Sequence, residues 1–241
     1  MSLLITICAR GGSKGIPGKN IKELNGRPLL MYSIDLAKAF AKTTKSKITL
    51  STDSSEIMTI ASKGGLNTDY KRPDHLASDT AGKIDVLKHV LEYFENVEQV
   101  RYDYILDLDV TSPLRSTKDL QKAFDLLKGD SFAQNLVTVS PASRNPYFNM
   151  LEVVNEKYAQ VVKRPDTPIL SRQKAPKVYQ MNSAFYFYKR SYFDSDQIST
   201  VDNGRTMIFN IEHLCFDLDE PIDFEFMSYL MERNMLDFKL C

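Results

Sequence analysis

The sequence predicts an α/β domain: a mostly parallel sheet with helices on both faces, carrying a small β-rich arm. Two observations define the sheet. Strand-length apolar runs alternate with segments of helical period as far as Ser140, the pattern of repeated strand–helix units. The first of those runs ends in a glycine-rich stretch, at the strand end where such sheets bind ligands. A third observation defines the arm. After Ser140 helical signals vanish as far as Arg190, and prolines and aromatics increase. The α/β domain therefore takes residues 1–140 and 184–241, with 141–183 inserted in it.

Taken in order, residues 3–9 read as a buried strand running into the glycine-rich stretch 10–20. Pro28 sits where a first helical turn accepts it, and 29–42 follows at helical period. Residues 47–53 are the next strand, and Ser54 or Ser55 caps a helix running to Lys63. Within 81–94, Ile84, Leu87, Leu91 and Phe94 recur at helical spacing and share one face. Residues 104–110 are a strand, 117–127 a helix with Leu120, Phe124 and Leu127 inward, and 135–140 another strand. Runs such as Glu152-Val153-Val154 mark hairpin strands in the arm. An apolar strand at 184–188 returns the chain to the sheet, a last strand lies near 213–216, and Pro221 opens a final helix reaching Arg233.

Composition narrows the function. With 43% hydrophobic residues, the 241-residue chain can bury a substantial core and is too apolar for disorder. Lys plus Arg and Asp plus Glu number 31 each, so no global field is available to hold nucleic acid or an anionic membrane surface. Any bound anion needs a local cluster of cations. The run Leu3-Leu4-Ile5-Thr6-Ile7 is too short for a bilayer, and no later stretch nears the roughly 18 apolar residues a span needs. Cys8, Cys215 and Cys241 show no metal-ligand spacing and read as reduced thiols of a cytoplasmic protein. His75, His89 and His213 are scattered and read as ordinary histidines rather than a zinc site.

The strongest chemical signal is Ala9-Arg10-Gly11-Gly12-Ser13-Lys14-Gly15-Ile16-Pro17-Gly18-Lys19-Asn20. Its glycines let backbone N–H groups approach an anion without Cβ obstruction. Arg10, Lys14 and Lys19 add the local cations a polyphosphate needs. The spacing is not that of a Walker loop, since Ser13 and Asn20 stand where a glycine and a Ser/Thr belong. Neither is it the Gly-x-Gly-x-x-Gly of dinucleotide sites. A second signal is Asp217-Leu218-Asp219. Extended backbone sends both carboxylates to one side and Leu218 to the other. Paired carboxylates beside a phosphate site suit Mg²⁺, which takes few protein ligands. Asp223 is a third acid, or simply a favourable charge at the start of the last helix.

These blocks resemble the acylneuraminate cytidylyltransferases, the CMP-sialic acid synthetases. After the opening 9–20 come Asn25-Gly26-Arg27-Pro28-Leu29, Ser51-Thr52-Asp53 and Arg72-Pro73-x-x-Leu76-Ala77-x-Asp79-Thr80. Then follow Thr111-Ser112-Pro113-Leu114-Arg115, Arg172 with Pro176, Asn182-Ser183-Ala184, and Asp217-x-Asp219, in family order over nearly the whole chain. The resemblance implies a nucleotide-diphospho-sugar transferase-like fold and a homodimer in which each arm reaches the partner's site. It also implies transfer of CMP from CTP, with Mg²⁺, to the anomeric hydroxyl of an acidic nine-carbon sugar, with release of pyrophosphate. Carried over, Arg10, Gly11, Ser13, Lys14, Lys19 and Asn20 hold the phosphates and ribose, and Arg72 lies near the cytosine. Asp217 and Asp219 hold Mg²⁺. Arg10 and Lys19 serve the chemistry, together with Asp217, which helps deprotonate the attacking hydroxyl. Arg172 and Asn182 face the sugar, and Arg144 or Arg172 suits its carboxylate.

Two departures bear on the substrate. Asp109 replaces a glutamine found in many sialic acid enzymes, and Lys83 replaces a small residue near the cytosine. With Arg144-Asn145-Pro146-Tyr147-Phe148-Asn149, they bring the chain closer to the bacterial subgroup linked to legionaminic-acid-like sugars. Asp109 reads the sugar's hydrogen-bond donors, or is a satisfied polar residue at a strand end. Lys83 touches the nucleotide, or is a solvated lysine at a helix start. Two other readings stand beside this one. An enzyme activating the eight-carbon acid Kdo shares an Ala-Arg-x-x-Ser opening, but Lys-Pro is usual there where this chain has Lys19-Asn20. A non-catalytic nucleotide-sugar-binding module would have no need of Asp217 and Asp219, both present.

Overall fold

The computed structural model describes residues 1–12, 15–194, 199–201 and 204–240. The chain begins with β1 (Leu3–Cys8), then the loop bearing the glycines and a short hairpin of β2 (Glu23–Leu24) and β3 (Arg27–Pro28). α1 (Leu29–Thr44), β4 (Lys47–Ser51), α2 (Ser55–Lys63), α3 (Lys83–Glu98) and β5 (Tyr104–Asp109) follow. Next come α4 (Thr117–Gly129) and β6 (Asn135–Pro141), then the arm with β7 (Leu151–Asn155) and β8 (Tyr158–Val161). β9 (Tyr179–Lys189), β10 (Thr206–Asn210) and α5 (Pro221–Glu232) complete the chain. The six-stranded sheet runs β10-β6-β9-β5-β1-β4. Its neighbours pair in parallel except around β9, which is antiparallel to both β5 and β6.

Strand alternation divides the core in two. Leu3, Ile5 and Ile7 of β1 pack with α1, α4 and α5 on one face, while Leu4 packs with α3 on the other. Phe185 and Phe187 of β9 join the first layer, and Tyr186 and Tyr188 the second. Helix starts follow the local chemistry: Ser54 caps α2 by accepting from the Ile57 N–H at 3.4 Å, and Ser116 with Asp119 forms a capping box on α4. No helix is long and apolar enough to cross a membrane among the described residues.

Two sequence expectations need correcting. No strand lies at 213–216; the sixth strand is β10, pairing in parallel with β6 as Thr206↔Asn135 through Asn210↔Val139. The 213–216 segment is held instead by side chains, His213 against Asp119 at 2.9 Å and the Leu214 N–H on Asp237. The strand expected at 184–188 starts earlier. Met181, Gln180 and Tyr179 already pair with Val139, Ser140 and Pro141. β6 and β9 thus leave the sheet together and carry the exposed β7–β8 hairpin.

Candidate active site

A cleft of about 480 Å³ opens at the carboxyl ends of the parallel strands β1, β4 and β5, where open α/β sheets bind ligands. Register brings three strand ends side by side, with Cys8 opposite Ser51 on one side and Asp109 on the other. Of the residues singled out in the sequence, Arg10, Lys19, Asn20, Arg72, Lys83, Asp109 and Asp219 line this cleft. Arg10 reaches Asp79 at 2.8 Å, and Lys19 reaches Asp219 at 3.2 Å. The Asn20 amide donates to the Arg10 carbonyl at 2.9 Å, tying the two ends of the glycine loop together. The Arg72 guanidinium is buried and donates to the Ser51 hydroxyl and carbonyl at 3.0 and 2.8 Å. A Cβ on Gly15 would stand 2.9 Å from the Asp219 carbonyl oxygen, so only glycine allows the loop this close to the acidic segment. The Gly11 N–H is engaged within the chain, donating to Asp53 at 2.9 Å. Ser13 and Lys14 lie outside the described residues.

The floor of the cleft carries a charge cluster. Lys83 opens α3 but is not the solvated lysine of a helix start. Its ammonium lies 2.8 Å from Asp107 Oδ2 and 3.0 Å from Asp109 Oδ2, and over the Tyr186 ring at 5.3 Å from its centre. Burial alone would push the Lys83 ammonium down, but the two carboxylates outweigh it and hold it well above its ordinary range. Burial likewise raises Asp109, and Lys83 with the Thr111 N–H and hydroxyl overcomes that, bringing it to about 2. Both Asp109 oxygens therefore have donors inside the chain, as in a satisfied polar residue at a strand end.

Asp217 sits behind the cleft in a second network. Ser112 Oγ lies within hydrogen-bonding reach of both the Asp217 carboxylate and the Asn182 carbonyl, the latter at 2.8 Å. The buried Asn182 amide donates to Ser140 at 2.9 Å. Burial and the nearby charges of Asp109 and Asp219 push the Asp217 carboxyl up to about 7. Leu218, between the two acids, is fully buried, and its N–H donates to the Thr111 carbonyl at 2.9 Å. Beneath these groups the buried Arg115 donates to the carbonyls of Asp109 and Ala184 and to Ser33. Arg144 and Arg172 are exposed on the arm, donating to the Ser143 and Ala142 carbonyls, and neither lines the cleft of its own chain.

Sequence reasoning quoted Asp53, Asp79 and Arg115 within its motif blocks but gave them no role in the site, and it gave none to Asp107. The signal for Asp107 was present: in Leu106-Asp107-Leu108-Asp109 the alternation that separates Leu218 from its acids places both aspartates on one face.

A six-stranded sheet with its cleft at the strand ends, cations on a glycine loop and acids opposite them define a nucleotidyltransferase. The chain belongs to the cytidylyltransferase family, whose profile matches residues 4–236. It is 41% identical to "Post-translational flagellin modification protein B" of Campylobacter coli over 98% of each chain. It is 38% identical to a "CMP-N,N'-diacetyllegionaminic acid synthase" of Campylobacter jejuni over 97% of each. Its fold is similar to a solved CMP:2-keto-3-deoxy-manno-octonic acid synthetase complexed with CTP, with a TM-score of 0.70 at 18% identity, covering 97% of this chain and all of that one.

Proposed function

We propose that this enzyme transfers CMP from CTP to a nonulosonic acid of the diacetamido, legionaminic-acid-like class. The observation that carries the reading is the cleft itself, where Arg10 and Lys19 face Asp219 at the end of a parallel sheet. The name of the 38% identical Campylobacter jejuni relative supports the sugar class. Arg10, Lys19 and the glycine loop neutralise and align the triphosphate, the main requirement of phosphoryl transfer. The anomeric hydroxyl attacks the α-phosphorus, the bond to the β-phosphate oxygen breaks, and pyrophosphate leaves. The hydroxyl proton is assigned to Asp217, the acid next to the one that lines the cleft.

The acids suit Mg²⁺. Asp217 is pushed up by burial first and then by the charges of Asp109 and Asp219, and Asp219 is 71% exposed, leaving room for water and phosphate oxygens. Mg²⁺ needs few protein ligands, and a pair of carboxylates suits it. When bound, it would supply charge neutralisation at the triphosphate. The exposed arm, with Leu151, Val153 and Leu170 in solvent, fits a homodimer in which Arg144 and Arg172 reach the partner's sugar site. We place the enzyme in the cytoplasm. The test is pyrophosphate release with CTP, Mg²⁺ and a panel of acids. Release is expected with a diacetamido nonulosonic acid, and equal release with ATP or UTP, or with Kdo alone, overturns the assignment.

A further inference from the structure

We propose that Lys83 is a specificity-determining hydrogen-bond donor for a neutral carbonyl oxygen of the bound ligand, and that Asp107 and Asp109 are its positioning residues. The inference deepens the reading above and rests on it.

An ammonium has three protons. One goes to Asp109 Oδ2 at 3.0 Å. A second is directed to Asp107 Oδ2 at 2.8 Å, an oxygen with no well-formed hydrogen bond of its own and on a side chain only 1% exposed. The third is left for the cleft, which Lys83 lines with its side chain 30% exposed. The head cannot swing away. Asp107 is anchored from below by the Thr6 hydroxyl at 3.2 Å, Asp109 by Thr111, and the Tyr186 ring covers one side. Withdrawing the ammonium would leave two carboxylates of the same strand face without their counter-ion.

The charge balance indicates what the third proton meets. Two carboxylates already engage the ammonium, so an incoming phosphate or carboxylate finds little unspent positive charge at that point. A neutral acceptor needs none and still takes a charge-assisted hydrogen bond. Both substrates of the proposed reaction offer such an oxygen: the 2-oxo group of cytosine and the acyl carbonyl of an acetamido sugar. Lys83 stands between the two directions, with Arg72 on the β4 side of Cys8 and Tyr186 on the β9 side. The Asp109 position thus acts on the substrate through Lys83, as an aspartate that aims a donor. A glutamine there would hold the lysine without a full charge.

The experiment compares wild type with Lys83→Met by calorimetric binding, which needs no turnover. One arm measures CTP against 2-thio-CTP, whose sulfur is a weaker acceptor. The other measures a diacetamido nonulosonic acid against its amidino analogue, in which C=NH₂⁺ replaces the acyl C=O. In one arm wild type should prefer the carbonyl ligand by about ten- to a hundredfold. Lys83→Met should lose that preference in the same arm and keep the ratio in the other, which identifies the source of the oxygen. Asp109→Asn, which still accepts from the ammonium, should retain part of the preference, whereas Asp109→Ala should lose it. If Lys83→Met fails to fold, Lys83→Met with Asp107→Asn, which removes one of the two carboxylates left without their ammonium, is measured instead. Unchanged ratios in both arms, or no preference in wild type, overturn the proposal. A wild type that shows the preference but releases no pyrophosphate overturns the functional reading and leaves this one standing.

Discussion

Arg115→Met tests whether the floor of the site is held by one buried cation. The guanidinium is 1% exposed and joins three elements, donating to the Ala184 carbonyl on β9, the Asp109 carbonyl on β5 and Ser33 on α1, the last at 2.7 Å. Hydrogen bonds from a charged donor contribute roughly 1.5–3 kcal/mol each, so three amount to about 4–9 kcal/mol. Burial works against them. It pulls the guanidinium from 12.5 to about 10 despite the raising influence of Asp109, Cys215, Asp107 and Asp217, a cost of about 3 kcal/mol for keeping the charge. The expected net loss on substitution is then about 1–6 kcal/mol. At roughly 2–4 °C per kcal/mol for a chain of this length, Tm should fall by on the order of 10 °C. Calorimetric melting at fixed pH reads this directly, with Arg115→Lys as companion. The lysine keeps the charge but lacks the planar fork and should recover only part of the loss. A Tm for Arg115→Met within about 2 °C of wild type, or above it, would show that the apolar surroundings repack and that the cation is not what joins β5, β9 and α1.

Three further outcomes are expected. Asp219→Asn should reduce kcat at saturating CTP by about a hundredfold or more while leaving Tm unchanged, since its ion pair with Lys19 is exposed and contributes about 0–1 kcal/mol; near-normal kcat removes it from the reaction. Val153→Glu with Leu170→Glu, at positions 78% and 86% exposed, should turn a dimer into monomers by light scattering with the far-ultraviolet spectrum intact; an active wild-type monomer at micromolar concentration contradicts the arm's assignment. The His213–Asp119 pair at 2.9 Å should shape stability against pH. Burial alone would lower His213, but Asp119 and the Leu214 carbonyl raise it above 6.5, so its contribution is full below about 6.5 and fades as pH rises through the folded value. Burial alone would raise Asp119, but His213 and Ser116 lower it beneath 3.8, so its share is present above about 4 and fades on acidification. His213→Gln should flatten the alkaline side of the urea-stability profile, and an unaltered alkaline slope refutes the pairing.

The parts of the fold that could be read from sequence are those where local pattern and tertiary burial agree. β1, β4, β5 and β6 are apolar runs flanked by helices whose inward faces repeat at helical spacing, and each was placed within a few residues. β10 was not. Thr206-Met207-Ile208-Phe209-Asn210 sits at the sheet edge, only partly buried, and its identity as a strand comes from parallel pairing with β6 rather than from its own alternation. The neighbouring 213–216 run looked more strand-like because Leu214, Cys215 and Phe216 are consecutive and apolar. Its backbone is fixed instead by His213 and Asp237, contacts with residues 119 and 237 that no local window contains.

The same division runs through the site. A glycine loop after a strand is a local pattern, and so is Asp217-x-Asp219; Arg10, Lys19 and Asn20 of the first and Asp219 of the second line the cleft, with Asp217 behind it. The Lys83 cluster is different in kind. Lys83 and Asp109 are separated by a helix and a strand, and each has a bland explanation where it stands: a lysine at a helix start, an acid at a strand end. Their meaning appears only when α3 packs on the face of β5 that carries Asp107. Asp109 Oδ1 then takes the Thr111 N–H and hydroxyl and Oδ2 takes the Lys83 ammonium. Of the roughly four acceptor positions of a carboxylate, most are filled from within the chain, and what is left faces the cleft. A second route from Asp109 to the substrate runs through the cation it holds, and by that route the preferred substrate group is an acceptor.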